Sequence, residues 1–412
     1  MTKLEKLIEE LCPNGVEYVK FSDVCEYVRG ITYNKSQEIQ NNENQGWQVL
    51  RANNITLSSN TLNFDDVKRI SKDVKIKQTQ FLYKNDILIC AGSGSKEHIG
   101  KVAFIQEDMN YTFGGFMAVI RCKPMLNSRF LFHRITSNDF KLYLEKSLNS
   151  TTINNLNASV IANFQIPLPP LEVQAEIVRI LDNFTELTAE LTAELTARKK
   201  QYEYYRDELL HLDGEHITIQ ELFDTRNGFT PSKDNPEFWE NGDLPWFKLD
   251  DINNKGRVLS DSYLHITPKA LKKSGLFPEN SIIISTSATI GEYALITVPF
   301  LCNQRFTCMT VKLIYKEKVD IKYLMHYCPM LSKYCKEHLN QGNFTSVDMK
   351  QFMKFEFVIP PLDEQKQIVE ILDRFDKLCN DISEGLPAEI EARQKQYEYY
   401  RDKLLTFKEL TV

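Results

Sequence analysis

The sequence predicts an α+β protein built from two similar domains, each followed by a long amphipathic helix. Three observations support this fold class: a helix-like segment that occurs twice, short apolar runs that recur in the same order ahead of each copy, and an apolar content of 42% with 26% charged residues. That composition is typical of soluble globular chains. A length of 412 residues allows two or three domains of ordinary size.

The repeated segment begins at a Pro-Pro-Leu triplet and ends near the sequence Gln-Tyr-Glu-Tyr-Tyr-Arg-Asp. Leu171 matches Leu362 at an offset of 191 residues and Tyr202 matches Tyr397 at an offset of 195, so the second copy is four residues longer. Apolar residues recur in both copies at the three- and four-residue steps of one helix face. Each copy therefore predicts a helix of about 40 residues, or about 60 Å.

A helix of this length with one apolar stripe needs a partner, and the matching stripe is found in its own repeat. We expect a pair of long antiparallel, coiled-coil-like helices that hold two domains apart with pseudo-two-fold symmetry. The alternative, two unrelated helices in separate cores, leaves the repeated side-chain identities unexplained. The residues expected to pack between the helices are Leu187, Leu191, Leu195, Tyr202, Tyr205, Leu378, Ile382, Ile390, Tyr397 and Tyr400.

One feature of the second copy departs from this symmetry. It contains Gly385 and Pro387 where the first copy has an unbroken run of Ala, Glu and Leu. Because proline cannot donate a helical hydrogen bond, the sequence predicts a kink or a local loosening here, with the four extra residues absorbed as an irregularity against the first helix.

The helices divide the chain into four segments. We predict a first domain at residues 1–165, a first spacer helix at 166–213, a second domain at 214–357 and a second spacer helix at 358–412. A short amphipathic helix opens the first domain at residues 4–11. Within the domains, short apolar runs such as 87–90, 117–120 and 282–284 predict strands, and residues 130–135 and 140–144 predict helices.

Charge and cysteine content limit the possible functions. The net charge is −6, which argues against a protein that binds polyanions by bulk attraction. Residues 51–101 nevertheless carry nine Lys and Arg against five Asp and Glu, so a local basic face remains compatible with nucleic acid. Nine scattered cysteines, no apolar run long enough for a membrane span and a charged N-terminus predict a cytoplasmic protein with reduced thiols and no membrane or metal site.

The candidate catalytic motifs fail on mechanism. The stretch from Gly94 to Lys101 resembles a phosphate-binding loop, but five residues separate its glycines instead of four, and Val102 lacks the hydroxyl that would bind magnesium. Asn235-Pro236-Glu237-Phe238 resembles a loop that grips adenine in amino-methyltransferases, but no S-adenosylmethionine motif accompanies it. We predict a turn there, with Phe238 and Trp239 packing beneath it, and we expect no catalytic residues in this chain.

The two domains share an apolar frame and differ in their polar loops, which indicates two similar binders with different targets. Reading DNA needs polar side chains that reach base edges and phosphates. The candidates in the first domain are Thr32, Tyr33, Asn34, Lys35, Arg51, Asn53, Asn54, Ser93, Ser95 and Lys96. Those in the second domain are Arg226, Asn227, Thr230, Ser232, Lys233, Lys248, Asp250, Thr286, Ser287, Gln304 and Arg305. For each of them, an ordinary solvated loop residue is an equal alternative.

With these motifs the chain resembles the specificity subunit of type I restriction-modification systems over its whole length. The repeated helices carry the resemblance, together with Gly228-Phe229-Thr230-Pro231-Ser232-Lys233. The tandem Thr-Ala-Glu-Leu quartets at residues 188–195 are similar to those of the type IC subfamily.

This resemblance implies a non-catalytic DNA-binding subunit with two target recognition domains, each reading one half of a bipartite site in double-stranded DNA. It implies two methyltransferase subunits and the restriction and translocation subunits as partners. S-adenosylmethionine, ATP and magnesium would belong to those partners, and this chain would hold no cofactor of its own.

The quartets also predict a molecular ruler. Four helical residues rise about 6 Å and one base pair about 3.4 Å, so adding or removing a quartet should change the gap between half-sites by one or two base pairs. Two other functions stay open at this point: a two-headed structural scaffold without DNA specificity, and a stand-alone DNA-modifying enzyme.

Overall fold

The computed structural model describes residues 2–39, 46–57, 59–148, 155–211, 213–340, 345–380 and 384–410. The chain forms two compact units. Unit 1 comprises Met1–Thr192 and Glu389–Val412, and unit 2 comprises Ala193–Ala388. Each unit thus contains one α+β domain and part of each copy of the repeated helical segment, whereas the four predicted segments kept helices and domains apart.

The first domain contains short strands and helices in the order that the sequence predicts. Its helices are α1 (Lys3–Leu11), α2 (Phe21–Val24), α3 (Ser128–Ile135), α4 (Asn138–Leu148) and α5 (Ala158–Ala162). Its strands are β1 (Tyr18–Lys20), β2 (Cys25–Arg29), β3 (Trp47–Leu50), β4 (Ile55–Thr56), β5 (Thr61–Leu62), β6 (Lys68–Ile70), β7 (Phe81–Leu82), β8 (Ile87–Cys90), β9 (Val102–Phe104), β10 (Met109–Phe113), β11 (Met117–Cys122) and β12 (Gln165–Pro167).

The first copy of the repeated segment is a single helix, α6 (Leu171–Leu210), which confirms the prediction. The second domain follows it. Its strands are β13 (Glu215–Thr218), β14 (Phe223–Asn227), β15 (Leu244–Phe247), β16 (Val258–Leu259), β17 (Leu264–Ile266), β18 (Ser281–Ser285), β19 (Tyr293–Ile296), β20 (Leu301–Cys302), β21 (Phe306–Val311), β22 (Leu339–Asn340), β23 (Ser346–Val347) and β24 (Glu356–Ile359). Its helices are α7 (Ile219–Leu222), α8 (Leu249–Lys255), α9 (Ile321–His326), α10 (Cys328–Glu337) and α11 (Met349–Phe352).

The second copy of the segment forms two helices. The first, α12 (Leu362–Asn380), and the second, α13 (Leu386–Leu404), are separate elements, with Gly385 in a bend directly before α13. Pro387 is the second residue of α13, where its missing N–H costs no helical hydrogen bond. The asymmetry that Gly385 and Pro387 predict is therefore a helix boundary instead of a kink within one helix.

The two domains have matching sheets. Unit 1 has one sheet in the order β2-β11-β8-β9 and another in the order β6-β3-β10-β7. Unit 2 has the orders β14-β21-β18-β19-β16 and β17-β15-β20. In each second sheet one pair is parallel, β3 with β10 and β15 with β20, so the duplication extends to strand direction.

The central strands are buried on both faces, because each lies between two apolar clusters. In β8, Ile87 and Ile89 pack in one cluster and Leu88 in the other. In β18, Ile282 and Ile283 likewise belong to different clusters. This explains why these strands are continuous apolar runs instead of alternating ones.

The start of one helical copy packs beside the end of the other in each unit, as an antiparallel pairing requires. In unit 1 the ring of Phe184 stacks on Tyr400 with 5.5 Å between centroids. In unit 2 Phe375 packs against Tyr202 and Tyr205, at 6.4 Å and 6.0 Å. Of the predicted packing residues, Ile382 lies outside the described part of the chain.

The cysteines have the same chemical state throughout the structure. All nine cysteines are free thiols, and eight of them are buried. Across the described ranges, no helix combines the length and apolarity that a membrane span needs.

Candidate nucleic-acid interface

Four loops in each unit are joined to one another by backbone hydrogen bonds, and we call each set the loop cluster. In unit 1 the loops follow β2, β3 and β8 and connect β10 to β11; in unit 2 they follow β14, β15 and β18 and connect β20 to β21. The loop cluster comprises residues 30–35, 51–54, 91–95 and 114–116 in unit 1, and residues 228–233, 248–251, 286–289 and 303–305 in unit 2.

The same hydrogen bonds join the loops in both units. In unit 1 they run from Gly30 N to Met117 O (3.0 Å), Ile31 N to Phe113 O (2.8 Å), Gly114 N to Leu50 O (2.9 Å) and Ala91 N to Phe116 O (2.8 Å). In unit 2 they run from Gly228 N to Phe306 O (2.9 Å), Phe229 N to Cys302 O (2.8 Å), Asn303 N to Phe247 O (2.9 Å) and Thr286 N to Arg305 O (2.9 Å). The two clusters therefore share one backbone framework and present different side chains on it.

One glycine in each cluster is required by close packing. A Cβ atom on Gly30 would lie 2.2 Å from Gly114 O, and one on Gly228 would lie 2.2 Å from Cys302 O. Both distances are shorter than any non-bonded contact, so a larger residue would push the loops apart. The two glycines keep the first and fourth loops in contact.

In unit 2 the cluster surrounds a shallow depression of about 220 Å³. Four of the predicted DNA-binding residues line it: Lys248, Asp250, Ser287 and Arg305. Lys248 Nζ lies 2.5 Å from Asp250 Oδ2, and this hydrogen bond raises the pKa of the Lys248 ammonium group. The depression thus offers cationic donors, one carboxylate acceptor and a hydroxyl within a small area.

Four further predicted residues of unit 2 lie in the first and fourth loops of the same loop cluster. Thr230 donates a hydrogen bond from its hydroxyl to Gln304 Oε1. Gln304 adjoins Arg305 in the fourth loop, and both are exposed. Ser232 and Lys233 are exposed in the first loop, where the Ser232 carbonyl accepts a hydrogen bond from Trp239 Nε1 (2.9 Å).

The remaining candidates of unit 2 have partners within the protein. Arg226 lies over the ring of Phe277, 4.0 Å from its centroid. Asn227 accepts a hydrogen bond from the Thr307 hydroxyl (3.0 Å). The structure corrects the prediction for Thr286: its side chain is buried and bonded to the Thr307 hydroxyl, so it supports the loop instead of facing a ligand.

In unit 1 the second loop is organised by one acidic residue. Arg51 Nη2 lies 2.7 Å from Asp66 Oδ2, and Asn53 Nδ2 donates to the same oxygen at 3.3 Å. Arg51 is half-buried and Asn53 is exposed, so both present polar groups at the surface.

Burial corrects the prediction for Asn54. Its side chain is fully enclosed, and its Oδ1 accepts a hydrogen bond from Arg51 N (2.9 Å). In unit 2 the buried Asp251 accepts in the same way from Lys248 N (2.8 Å). These two residues cap the loop from inside and cannot reach a base.

The first and third loops of unit 1 supply the other candidates. Thr32, Asn34 and Lys35 are exposed, whereas Tyr33 packs partly against the apolar cluster beneath the loop, and burial raises its pKa. Ser93 accepts a hydrogen bond from Ser95 N (3.2 Å). Lys96 opens a short 3-10 turn, and its side chain lies outside the described part.

Sequence reasoning missed three side chains in these clusters. Asn303 and Thr289 line the depression in unit 2, and Phe116 occupies the fourth loop of unit 1 with 73% of its surface exposed. Aligning the two domains at the fourth loop would have identified Phe116. The prediction included Gln304 and Arg305 in the second domain but did not match the loop 114–116 of the first domain to them. Gly115 and Phe116 stand at those positions.

A second shared feature lies where the helices meet each domain. In unit 1 His133 donates from Nε2 to Asp182 Oδ1 (2.8 Å) and accepts at Nδ1 from the Tyr397 hydroxyl (2.9 Å). His133 is fully buried, and these two bonds connect α3 to α6 and α13. We call this arrangement the histidine clamp.

Unit 2 has the same clamp, built from His326, Asp373 and Tyr202. His326 Nε2 lies 3.0 Å from Asp373 Oδ1, and its Nδ1 lies 3.4 Å from the Tyr202 hydroxyl. In both units the tyrosine comes from the end of one helical copy and the aspartate from the start of the other. The repeated Asp and Tyr of the sequence are thereby explained.

The repeated glutamine of each helical copy has an equally defined role. Gln174 is buried, accepts from Asn127 N (2.8 Å) and donates to Pro169 O (2.7 Å). Gln365 is also buried, and it accepts from Asp320 N (2.8 Å) and donates to Pro360 O (2.8 Å). Each glutamine ties the beginning of a helix to the loop before it.

The clamps perturb the ionisation of their members. Burial lowers the pKa of His133, against the opposing effect of the Asp182 hydrogen bond. Burial would raise the pKa of Asp182, but the hydrogen bond from His133 and the charge of Arg129 bring it below its ordinary value. The hydrogen bond from His326 lowers the pKa of Asp373. His133 is thus held neutral beside an ionised carboxylate.

The predicted helix-packing residues differ in burial. Tyr202 and Tyr397 are mostly buried in their clamps, and burial raises the pKa of both phenols. Leu191, Leu195 and Ile390 are half-buried, whereas Leu187, Tyr205, Leu378 and Tyr400 remain more than one third exposed. Among the residues described, no group of three His, Cys, Asp or Glu side chains is arranged to hold a metal ion.

Comparison with known proteins gives a consistent family. A family model described as the type I restriction modification DNA specificity domain matches residues 13–198 and 212–392. The chain is 48% identical over 213 residues to the specificity subunit of the Escherichia coli type I restriction enzyme EcoprrI, covering 50% of this chain and 53% of that one. It is 45% identical over 265 residues to the EcoR124I/EcoR124II specificity subunit of the same species, covering 59% and 63%.

These two matches span between half and two thirds of the relatives' lengths. A putative specificity subunit of Haemophilus influenzae, S.HindORF215P, is 34% identical over 341 residues, which cover 75% of this chain and 84% of the relative.

Solved structures share the fold. A chain from a study of complex assembly in a type I R-M system superposes with a TM-score of 0.63 at 18% identity, covering 95% of this chain and 98% of the other. The S subunit of a type I system from M. genitalium gives a TM-score of 0.52 at 14% identity, covering 95% and 96%. With the family model matched in both halves, this chain belongs to the family of type I restriction-modification DNA specificity domains and carries that domain twice.

Proposed function

We propose that this chain is the non-catalytic, DNA-reading subunit of a type I restriction-modification complex, in which each loop cluster reads one half of a bipartite site. The observation that carries this proposal is the pair of loop clusters with one hydrogen-bonded framework and different exposed side chains. A common framework gives both units the same way of approaching a duplex. Different side chains give them different sequences to read.

The chemistry of the exposed residues supports DNA as the ligand. Arginine and lysine donate to guanine acceptors and to phosphates, carboxylates accept from exocyclic amino groups, and hydroxyls serve either role. The depression of unit 2 presents Arg305, Lys248, Asp250 and Ser287 together. Arg51 and Asn53 provide comparable groups in unit 1.

The helices are proposed to fix the gap between the half-sites. Helix α6 is continuous over 40 residues, and the histidine clamps attach each domain to the helices at defined residues. A rigid attachment at His133 and His326 makes helix length a determinant of spacing. The Thr-Ala-Glu-Leu quartets lie in α6 between Asp182 and Tyr202, so their number sets that length.

Methyltransferase subunits are the proposed partners on these helices, with the restriction and translocation subunits joining the same complex in the cytoplasm. Tyr204 and Tyr399 support a partner that binds twice. Each is 62% exposed, and each packs edge-on against the next tyrosine, Tyr205 or Tyr400. An exposed aromatic pair in each helical copy gives two equivalent contact points. In this proposal S-adenosylmethionine, ATP and magnesium are bound by the partners.

The experiment is co-expression with a cognate methyltransferase, followed by genome-wide mapping of methylated adenine. A bipartite motif with a fixed gap is expected, and its absence would refute the proposal. Arg51→Ala should alter one half-site and Arg305→Ala the other, with each variant serving as the control for its partner. Deleting residues 192–195 should shorten the gap by one or two base pairs and leave both half-sites unchanged.

A further inference from the structure

Phe116 is the most exposed aromatic side chain in the described part of the chain. Its ring is 73% exposed, and it belongs to none of the apolar clusters that form the cores of unit 1. A large apolar side chain in this position contributes nothing evident to folding. Single exposed apolar side chains are common on protein surfaces, so the role of Phe116 depends on where it lies within the loop cluster.

Backbone bonding places Phe116 at the position that Arg305 holds in unit 2. The Phe116 carbonyl accepts from Ala91 N at 2.8 Å, and the Arg305 carbonyl accepts from Thr286 N at 2.9 Å. Each residue directly precedes the first residue of the matching strand, β11 or β21. The two side chains therefore leave the framework at equivalent points of the two loop clusters.

Backbone hydrogen bonds from three residues fix the loop that carries the Phe116 ring. Gly92 N also donates to the Phe116 carbonyl at 2.9 Å, and Met117 N donates to Gly114 O at 2.7 Å. A Cβ atom on Gly92 would lie 3.0 Å from Phe116 Cδ1, so the ring rests over a residue without a side chain. The ring is thus fixed at its base and open above.

We propose that Phe116 is a specificity-determining residue, which makes an apolar contact with bases of the half-site that unit 1 reads. The inference rests on the proposed function, since it assigns the position of Arg305 in unit 2 to DNA. An arginine at this point donates hydrogen bonds to base edges, whereas a phenylalanine contacts either the thymine methyl group or the exposed faces of adjoining bases. Both contacts bury the ring against a base, and the two units would read DNA with different chemistry at one shared position.

The test uses the full chain with its methyltransferase partner. Phe116→Ala and Phe116→Arg are compared with Met125→Ala, a control that lies three residues beyond the opposite end of β11 and is 49% exposed. Phe116→Ala should weaken binding of the cognate duplex about tenfold and make one or more positions of a single half-site degenerate in the methylation map. Phe116→Arg should shift the base preference at those positions, and Met125→Ala should change neither readout.

Two arms separate the two apolar contacts. Replacing each thymine of that half-site with deoxyuridine removes only the methyl group. If deoxyuridine weakens binding of the duplex by the wild type but not by Phe116→Ala, the ring contacts the methyl group. If Phe116→Ala weakens binding of the thymine and deoxyuridine duplexes equally, the ring contacts base faces.

Clear results would overturn the inference. If Phe116→Ala keeps the wild-type motif and affinity, the ring does not read DNA. If Phe116→Ala loses the methyltransferase partner while its melting temperature is unchanged, the ring is a protein contact. A wild-type complex that shows no bipartite motif would instead refute the proposed function itself, so the two failures are distinguishable.

Discussion

The histidine clamp of unit 1 allows a quantitative test of how the domain is attached to the helices. Tyr397→Phe removes one hydroxyl and keeps the ring, so the change removes the 2.9 Å hydrogen bond to His133 Nδ1. Because His133 is fully buried, its Nδ1 would then be an acceptor without a donor. Such a group costs about 1–3 kcal/mol.

The second clamp provides the comparison. The Tyr202 hydroxyl lies 3.4 Å from His326 Nδ1, a long contact, and His326 is 8% exposed, so Tyr202→Phe should cost less than about 1 kcal/mol. Tyr399→Phe is the surface control. Its ring is 62% exposed, and a change within about 0.5 kcal/mol is expected.

Hydrogen exchange followed by mass spectrometry measures these effects locally. Peptides from α3 and the end of α13 should exchange faster in Tyr397→Phe, while peptides from unit 2 keep their wild-type rates. The melting temperature should fall by about 2–4 °C for each kcal/mol lost in a unit of this size. Equal behaviour of Tyr397→Phe and Tyr399→Phe would show that the hydroxyl contributes nothing to the attachment.

Three further predictions follow from the same geometry. Burial depresses the pKa of His133 in the folded protein, so below about pH 6.5, the ordinary histidine pKa, the unfolded chain binds a proton at this residue more readily than the folded chain does. Unit 1 should therefore be fully stabilised by neutral His133 above about pH 6.5 and lose that stabilisation as the pH falls. Urea unfolding with hydrogen-exchange readout from about pH 5 to 8 tests the sign. Gly30→Ala and Gly228→Ala should each disrupt one loop cluster and lower the free energy of unfolding by about 1–3 kcal/mol, which thermal unfolding measures. Each variant should also abolish recognition of one half-site, which methylation mapping would show. The double variant Tyr204→Ala, Tyr399→Ala should weaken methyltransferase binding by about 2 kcal/mol or more without lowering the melting temperature. A wild-type affinity in titration calorimetry would contradict the docking proposal.

Periodicity carried most of what could be predicted about the fold. The three- and four-residue apolar steps predicted the long helix α6 within the segment 166–213, and the apolar run at Ile87–Cys90 located β8. The internal repeat supplied the equivalence of the two domains. These signals are local in the chain, and burial follows from them directly.

The candidate site was less predictable, because side-chain direction in a loop depends on packing between distant residues. Asn54 and Thr286 are polar loop residues by sequence, but both are buried and bonded inside their own unit. Phe116 is apolar by sequence and is exposed. Burial and side-chain hydrogen bonds in the folded loops show which of these side chains face outward.

The two units also show which residues a duplicated reader retains and which it varies. Side chains that attach the domains to the helices are the same in both copies: Gln174 with Gln365, and Asp182 with Asp373, make matching contacts within their units. Side chains at equivalent positions of the loop clusters differ, such as Phe116 and Arg305, and in the proposed function their partners are the bases of two different half-sites. In the proposed function, attachment of domain to helix is therefore independent of the sequence being read, and we expect that the half-site can change through loop residues alone while the proposed spacing stays constant.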